Sequence, residues 1–456
     1  MYLNRIKNQK LNQSLKNISP LIFRISFYIL ITIIFYFFMQ NYSPLGIKWR
    51  PYHYERVLNA IENIFENPSL SFIGITSWNN VQEVREYLDS NLGNIYLVSI
   101  LGYLFHAFCY KFISNFQLLD FGSFLDFFLI SIVGILTAEI GLYVLEIRSK
   151  FESIFYGTTL FSLFIASPWA YKMMLAPWNE VWFLLFYLLG VVSFIHTKKY
   201  LGLFFVLLAG FMHWMWIFFL LMFSFIIKLI NISLGNILEK DFSYLYLPNT
   251  LKDKKGFYLY SFFCGLPLIF YSFQAFILRI MNIENSGSSA LYRIGIDSYS
   301  NIHHGGIIAA FQFLGGNRFS VCFNNNNLNG LSNLERNISF FNCSISIASL
   351  VLLSLVSIIG LVIFLKNSNK AKWIFMPIAW SFLLFCLLFQ QSSAVHLRGY
   401  SFIFAYIFTI NIVYFFKYIG KLFLIPKPIE ILMMIPILTG ILINLIRVSY
   451  LTGVNG

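Results

Sequence analysis

The chain has 456 residues, of which 58% are apolar, 20% aromatic and only 11% charged. A soluble chain carries about 25% charged residues, so this composition excludes a soluble globular protein and indicates a polytopic membrane protein. The net charge of +13 is of the kind that nucleic-acid-binding proteins show, but lysines and arginines beside apolar runs are signals of membrane topology. We therefore predict an all-α membrane protein with no nucleic-acid partner.

The N-terminus predicts a cytoplasmic tail followed by a retained signal anchor. Residues 1–20 are basic and contain no acid, and residues 21–39 form an apolar run interrupted only by Arg24. That length spans a bilayer, and the run lacks the small-residue cleavage site of a removable signal peptide. Because basic flanks stay inside the cell, we expect a cytoplasmic N-terminus, a plasma (inner) membrane location and one polytopic domain over residues 21–456.

The polar segment 41–93 is predicted to be a large loop on the outer face. It holds six of the nineteen acids in the chain. Within it, residues 54–66 place apolar side chains on one helical face and Glu55 and Glu62 on the opposite face. A weaker amphipathic pattern follows. We interpret these helices as lying on the membrane surface, over a site that the transmembrane helices build.

The rest of the chain alternates apolar runs with basic or polar turns, which predicts about eleven spans in all. Residues 94–114 either cross the membrane or dip in from the outer face, and the charge rule favours the second. Residues 281–341 form a second large outer loop. A polar aromatic cluster at His213 divides residues 200–230 into two short half-spans meeting on the outer side, unless they form one long tilted helix. The other predicted spans are 127–145, 154–167, 181–195, 257–280, 343–365, 373–390, 400–416 and 429–446.

Under this topology the unusual polar residues converge on the outer face. Ionisable residues at membrane depth are costly and are functional candidates. Each alone has a simpler explanation, such as a helix cap for Glu180 or an aromatic belt around His213, and it is their clustering that favours a site. The candidate catalytic carboxylates are Glu55, Glu62 and Glu180, and the donors that suit a phosphate or substrate are His213, His303, His304, Arg318, His396 and Arg398.

Histidine and cysteine spacing predicts no metal site. The adjacent residues His303 and His304 lack a third ligand at a useful spacing, and no Cys/His pattern suggests zinc. The cofactor therefore stays unknown, with a divalent metal as an alternative that no ligand motif supports. Cys322 and Cys343 flank a polar loop and either form a disulfide that closes about twenty residues or remain free thiols. Cys264 lies in an apolar run and is predicted to be a small buried residue.

Several features of residues 20–230 occur together. A basic tail and one span precede a long outer loop with acidic amphipathic helices. An outer turn follows with Ser167-Pro168 and Asn179-Glu180, and the stretch from Leu208 to His213 opens a broken span. This layout resembles the GT-C membrane glycosyltransferases, and the last stretch also resembles the related exopolysaccharide polymerases. The resemblance implies a multi-span helical bundle with its site at the outer membrane face. It also implies sugar transfer from a polyprenyl-phosphate carrier to a lipid or protein acceptor, with Glu55 as the acid of the first loop.

The residues suit this chemistry. Inverting sugar transfer needs a carboxylate to take the acceptor's proton, and its phosphate leaving group needs Arg, Lys or His nearby. We favour Glu55 as the base for three reasons. It lies nearest the first span, and it directly follows Tyr52, His53 and Tyr54, whose rings suit packing against a sugar. It also opens a helix whose dipole keeps it ionised. The expected partners are a polyprenyl-phosphate-linked sugar, a lipid or glycan acceptor and membrane lipids. The alternatives are a polysaccharide polymerase, a transporter or flippase for lipid-linked glycans, and a non-catalytic assembly factor.

Overall fold

The structure is a computed structural model, and its described residues contain helices and no β-strand, in agreement with the all-α prediction. Nearly all of the two predicted outer loops, 41–93 and 281–341, lies outside these residues, as does the segment 94–114. The described residues are 21–34, 36, 66, 118–147, 149–165, 170, 179–235, 247–281, 352, 355–388, 400–426, 429–430 and 432.

Ten helices of three turns or more occur in this part of the chain. A π-helical turn, Asn231–Gly235, extends the sixth, and a 3-10 turn, Asn249–Leu251, precedes the seventh. The ten helices are α1 (Leu21–Ile34), α2 (Leu118–Val144), α3 (Lys150–Ile165), α4 (Asn179–Ile195), α5 (Lys199–Met212), α6 (Trp214–Ile230), α7 (Lys254–Ile280), α8 (Leu355–Asn367), α9 (Asn369–Leu388) and α10 (Tyr400–Leu422).

The helices pack into one continuous bundle. Helix α2 contacts α3, α4 and α10, and α4 and α5 form a closely packed antiparallel hairpin. From α5 the contacts continue through α7, α6 and α9 and return to α10. The core is aromatic, and its fully buried side chains include Phe161, Phe164, Trp216 and Phe375. Helix α2 is the most central of the span-length helices, since 67% of its apolar window is buried.

Three described helices are long and apolar enough to cross a membrane: the windows are Phe127–Val144, Trp216–Ser233 and Lys254–Ile277. Helix α7 buries only 28% of its window, and its Phe262 and Ile269 are 58% and 66% exposed. Large apolar side chains exposed along whole helices are not tolerated in water but are ordinary against lipid. The finer prediction of about eleven spans stays a prediction.

One predicted boundary changes and one predicted interruption is confirmed. Helix α2 begins at Leu118, earlier than the run predicted from Phe127, so Asp120 and Asp126 belong to the helix instead of preceding it. The prediction that His213 interrupts its segment is confirmed, because α5 ends and α6 begins there. The two parts are unequal, however: α6 with its π-helical extension has the length of a full span, whereas α5 has 14 residues.

Hydroxyl side chains inside the helices bond to their own backbone. Thr137 donates to the Val133 carbonyl at 2.8 Å, and Ser381 donates to the Pro377 carbonyl at 2.7 Å. The same four-residue pattern recurs at Ser131, Ser193 and Ser224. In a membrane these hydroxyls have no water to bond with, so bonding to the preceding turn lets an apolar helix carry them.

Three helices, α2, α4 and α10, end in the same left-handed cap. The residues after the helix, Glu146, Thr197 and Leu424, have φ of 55°, 60° and 52°. In each cap the next amide donates back to a carbonyl five residues earlier, for example Lys198 N to Ser193 O at 2.8 Å. This is the Schellman arrangement, which normally uses glycine because a Cβ is strained at positive φ.

Candidate functional site

The break between α5 and α6 lies at His213. Its backbone is extended, with φ −151° and ψ 89°, so the helical path stops for one residue. The His213 amide still bonds to the Ala209 carbonyl at 3.1 Å, which completes the last turn of α5. The His213 side chain is half-buried. An interrupted helix at membrane depth needs other groups to satisfy its backbone, and such interruptions occur where a protein lines a cavity or a site.

Helix α7 supplies the groups that hold this break. The Tyr271 hydroxyl donates to the Phe211 carbonyl at 2.9 Å, a carbonyl in the last turn of α5. One turn earlier, Pro267 packs directly on Gly210, where an added Cβ would lie 2.6 Å from the proline Cγ. The glycine thus permits a close approach that no larger residue would allow. The break is therefore formed by tertiary contacts and not by the local sequence of α5 alone.

The beginning of α4 packs against the same break. The Phe183 ring centroid lies 6.2 Å from that of His213, in an edge-on arrangement, and 5.9 Å from that of Trp216, in a stacked one. Glu180 is the second residue of α4 and precedes Phe183 by less than one helical turn. The structure therefore brings the backbone positions of two predicted site residues, Glu180 and His213, to one end of the α4–α5 hairpin.

The other predicted site residues are not placed. Cys322 and Cys343, with their predicted disulfide, also lie outside the described residues, while Cys264 is buried, as predicted. Among the described residues there is no group of three or more His, Cys, Asp and Glu side chains that could hold a metal ion. The predicted site residues outside the described part of the chain are Glu55, Glu62, His303, His304, Arg318, His396 and Arg398.

Sequence reasoning missed a charge cluster between α1, α2 and α3. Arg24 forms a two-pronged ion pair with Glu139, with Nε to Oε1 at 2.9 Å and Nη2 to Oε2 at 2.8 Å. Its third nitrogen, Nη1, donates to the Ser153 hydroxyl at 3.2 Å, and the Tyr28 hydroxyl donates to Glu139 Oε1 at 3.2 Å. The signal was available: Glu139 is the one acid within Phe127–Val144, and an acid in an apolar span implies a partner.

A second buried carboxylate lies on another side of α3. The Tyr156 hydroxyl donates to Glu430 Oε1 at 2.5 Å, and Glu430 is 7% exposed. Gly420 of α10 lies so close that an added Cβ would be 2.9 Å from Glu430 Oε2. Lys417 donates to the Leu145 carbonyl at 2.6 Å, and its Nζ is 6.0 Å from the centre of the Tyr156 ring. These contacts join the end of α2, the beginning of α3 and the end of α10.

Comparison with known proteins adds no family to this description. No protein-family model and no curated protein matches the chain. A function is therefore inferred from the residues of the chain itself, from the helix break at His213 and from the charges at the helix ends.

Proposed function

We propose that this chain is a membrane glycosyltransferase similar to the GT-C class, which moves a sugar from a polyprenyl-phosphate carrier to a lipid-linked or envelope acceptor. The observation that carries the proposal is the break at His213, which packs beside the start of the helix that bears Glu180. An acid and a histidine next to an interrupted helix in an apolar bundle suit a phosphate leaving group and a proton transfer.

The orientation that we propose puts this break at the outer face of the plasma membrane. The opposite end of the α4–α5 hairpin carries the exposed residue Lys198. Helix α9 begins near Lys370, which pairs with Glu146 after α2 at 2.7 Å, and α10 ends near Lys421. Basic turns favour the cytoplasmic side. With Arg24 held near the end of α2, this arrangement supports a cytoplasmic N-terminus and an outer site.

In the proposed step, the acceptor hydroxyl oxygen attacks the anomeric carbon of the donor sugar. The new carbon–oxygen bond forms as the bond from that carbon to the phosphate oxygen breaks, and polyprenyl phosphate leaves with the electron pair. The hydroxyl proton passes to the carboxylate of Glu55, with Glu62 and Glu180 as the other candidate bases. The groups that we propose to neutralise the leaving phosphate are His213, His303, His304, Arg318, His396 and Arg398.

The test is sugar transfer by purified protein in liposomes, with a radiolabelled polyprenyl-phosphate sugar as donor. Glutamine keeps the size of Glu55 but cannot take the proton, so Glu55→Gln should lower the transfer rate by about 10² to 10⁴. Glu66→Gln, on the same predicted helix, is the matched control and should transfer normally. A normal rate for Glu55→Gln with an inactive Glu62→Gln or Glu180→Gln would reassign the base. Normal rates in all three would overturn the proposal.

A transporter of lipid-linked glycans is the second candidate, and one contact favours it. The interrupted helix at His213 packs on a second helix with a proline in its interior, through Gly210 and Pro267. Discontinuous helices at the substrate site are typical of transporters, and α7, although continuous, carries Pro267 at the contact. The same liposomes separate the two functions, because a transporter moves the labelled lipid between leaflets while its sugar–phosphate bond stays intact.

A further inference from the structure

Helix α1 touches the rest of the bundle along one narrow stripe. Arg24 and Tyr28, one helical turn apart, face the bundle, and the Tyr28 side chain is fully buried. Further along, the ring of Tyr36 lies 5.3 Å from that of Phe127 on α2. Nine other large apolar residues of α1 are between 38% and 59% exposed, and Ile31 is partly buried against the core. Apolar contacts of α1 are therefore confined to the stripe through Tyr28, Ile31 and Tyr36, and most of its apolar surface does not help to choose its position along the bundle.

The surface that receives this stripe is a cleft between α2 and α3. Ser153, Gly157 and Phe161 follow each other at four-residue spacing on α3 and so share one face, and Glu139 of α2 lies opposite them. The Tyr28 ring lies 4.9 Å from that of Phe161. An added Cβ at Gly157 would lie 2.5 Å from the Tyr28 hydroxyl oxygen and 3.1 Å from Arg24 Cδ. The cleft thus fits an arginine and a tyrosine one turn apart.

We propose that Arg24 and Glu139 are positioning residues, whose ion pair fixes the register of α1 against the α2–α3 hairpin and thereby places the segment that follows α1. A one-residue slip rotates an α-helix by about 100°, which would turn the guanidinium towards lipid and leave Glu139 unpaired. Both side chains are largely shielded, with 12% and 28% of their surfaces exposed. A charge left without its partner in such a place is strongly unfavourable.

The ion pair between Lys370 and Glu146 provides a comparison for the pair between Arg24 and Glu139. Lys370 and Glu146 approach as closely, at 2.7 Å, but their side chains are 42% and 57% exposed. Exposed pairs contribute little, because water and salt screen them. The Arg24 pair differs in having two parallel bonds and a third donor bond to Ser153. Two-pronged pairing adds directional specificity, which is what a register lock requires.

The test is a disulfide reporter far from the ion pair. Tyr36→Cys with Phe127→Cys joins α1 to α2 twelve residues beyond Arg24, in the full-length chain in membranes, and mass spectrometry of peptides measures the 36–127 disulfide. Arg24→Leu should lower its yield about tenfold, a coupling within the range found for residues of one network. Exchange of the charges, Arg24→Glu with Glu139→Arg, should restore most of the yield. Lys370→Leu is the matched control and should leave it unchanged.

Each outcome decides the proposal. An unchanged yield in Arg24→Leu would show that apolar contacts alone set the register. If the exchanged variant does not fold, Arg24→Lys takes its place, since lysine keeps the charge and one bond. A yield in Arg24→Lys as low as in Arg24→Leu, from protein that elutes like the unmodified chain, would overturn the register lock.

The consequence for activity rests on the proposed function, because Glu55 lies in the segment that α1 leads into. We expect Arg24→Leu to lower sugar transfer and the charge exchange to recover it in parallel with the disulfide yield. The two proposals fail separately. A register that depends on the ion pair in a protein without transferase activity would overturn only the proposed function. Normal transfer by a slipped α1 would overturn only the positioning role.

Discussion

The two ends of the α4–α5 hairpin are built in different ways. At one end a short turn through Thr197 joins the helices, closed by backbone bonds between residues that are neighbours in sequence. At the other end α5 stops at His213, and the groups that hold the break, Tyr271 and Pro267, come from α7. The turn is closed by local bonds alone, whereas the break is signalled by the polar aromatic cluster at His213 and held by contacts from another helix.

The charged region around α2 and α3 also differs from the break at His213 in the contacts that hold it. There, the two acids inside the bundle meet partners from other helices: Glu139 pairs with Arg24, and Glu430 accepts a hydrogen bond from Tyr156. Such pairing favours one arrangement of helices. At the break, the Phe183 ring packs edge-on against the His213 ring. The comparison separates a region that fixes the helices from the break at which we propose that sugar transfer occurs.

The largest expected effect separates the two ends of the hairpin. His213→Ala removes a donor that we place near the leaving phosphate, and loss of one such donor costs about 10² to 10³ in rate. His196→Ala, at the exposed turn of the same hairpin, removes the same side chain away from the proposed site and should leave the rate unchanged. Sugar transfer in liposomes measures both. Equal rates in the two variants would contradict the proposal that the His213 end of the hairpin, and not the Thr197 end, takes part in sugar transfer.

Much of the fold could be predicted from residue patterns, because the length of an apolar run and the basic residues beside it can be read from neighbouring residues alone. The helices α3, α4, α7, α9 and α10 all overlap predicted runs, and the interruption at His213 is where the polar aromatic cluster predicted it. The start of α2 at Leu118 was not predicted, because Asp120 and Asp126 lie ahead of the apolar run that begins at Phe127. A helix continues through such residues when its backbone bonds are made within the helix.

The charge pairs could not be predicted as pairs. Arg24 and Glu139 are 115 residues apart, and Tyr156 and Glu430 are 274 apart, so no local pattern connects them. What the sequence offers is one ion in each of three apolar runs, namely Arg24, Glu139 and Glu430, and such an ion predicts that a partner exists without naming it. The placement of Glu180 beside His213 likewise needed the packing of Phe183 against the break.

The second-largest expected effect concerns the charged region around α2 and α3. Tyr156→Phe deletes the donor to the buried Glu430 carboxylate, and hydrogen bonds to charged groups contribute about 1.5 to 3 kcal/mol. We expect a loss of that size in the free energy of unfolding, measured by titration with denaturing detergent in mixed micelles. Tyr258→Phe removes a hydroxyl from a side chain that is 58% exposed and serves as the control. No loss relative to Tyr258→Phe would mean that Glu430 is held by other groups.

A third prediction concerns the packing of the break. Gly210→Ala would put a methyl group 2.6 Å from Pro267 Cγ, and such overpacking costs about 1 to 3 kcal/mol. Gly265→Ala, on α7, meets no atom within 4 Å and should stabilise by about 0.5 to 1 kcal/mol, since alanine favours a helix interior. Opposite signs in the same mixed-micelle titration are expected. Stabilisation by both changes would show that the break tolerates a wider separation of α5 and α7.

The smallest effect lies at the closed end of the hairpin. Thr197 occupies a left-handed conformation at φ 60°, which is unfavourable for a β-branched residue. Thr197→Gly should relieve this strain, because glycine has no Cβ, and should stabilise the protein by about 1 kcal/mol. Its hydroxyl bonds only to the neighbouring His196 carbonyl, at 2.7 Å at an exposed position, so little is lost.

Thr197→Ala keeps the Cβ and is the control for loss of the hydroxyl. A gain in Thr197→Ala equal to that in Thr197→Gly would assign the effect to the hydroxyl and not to backbone strain. Sugar transfer should be the same in both variants, since this turn lies at the opposite end of the hairpin from His213.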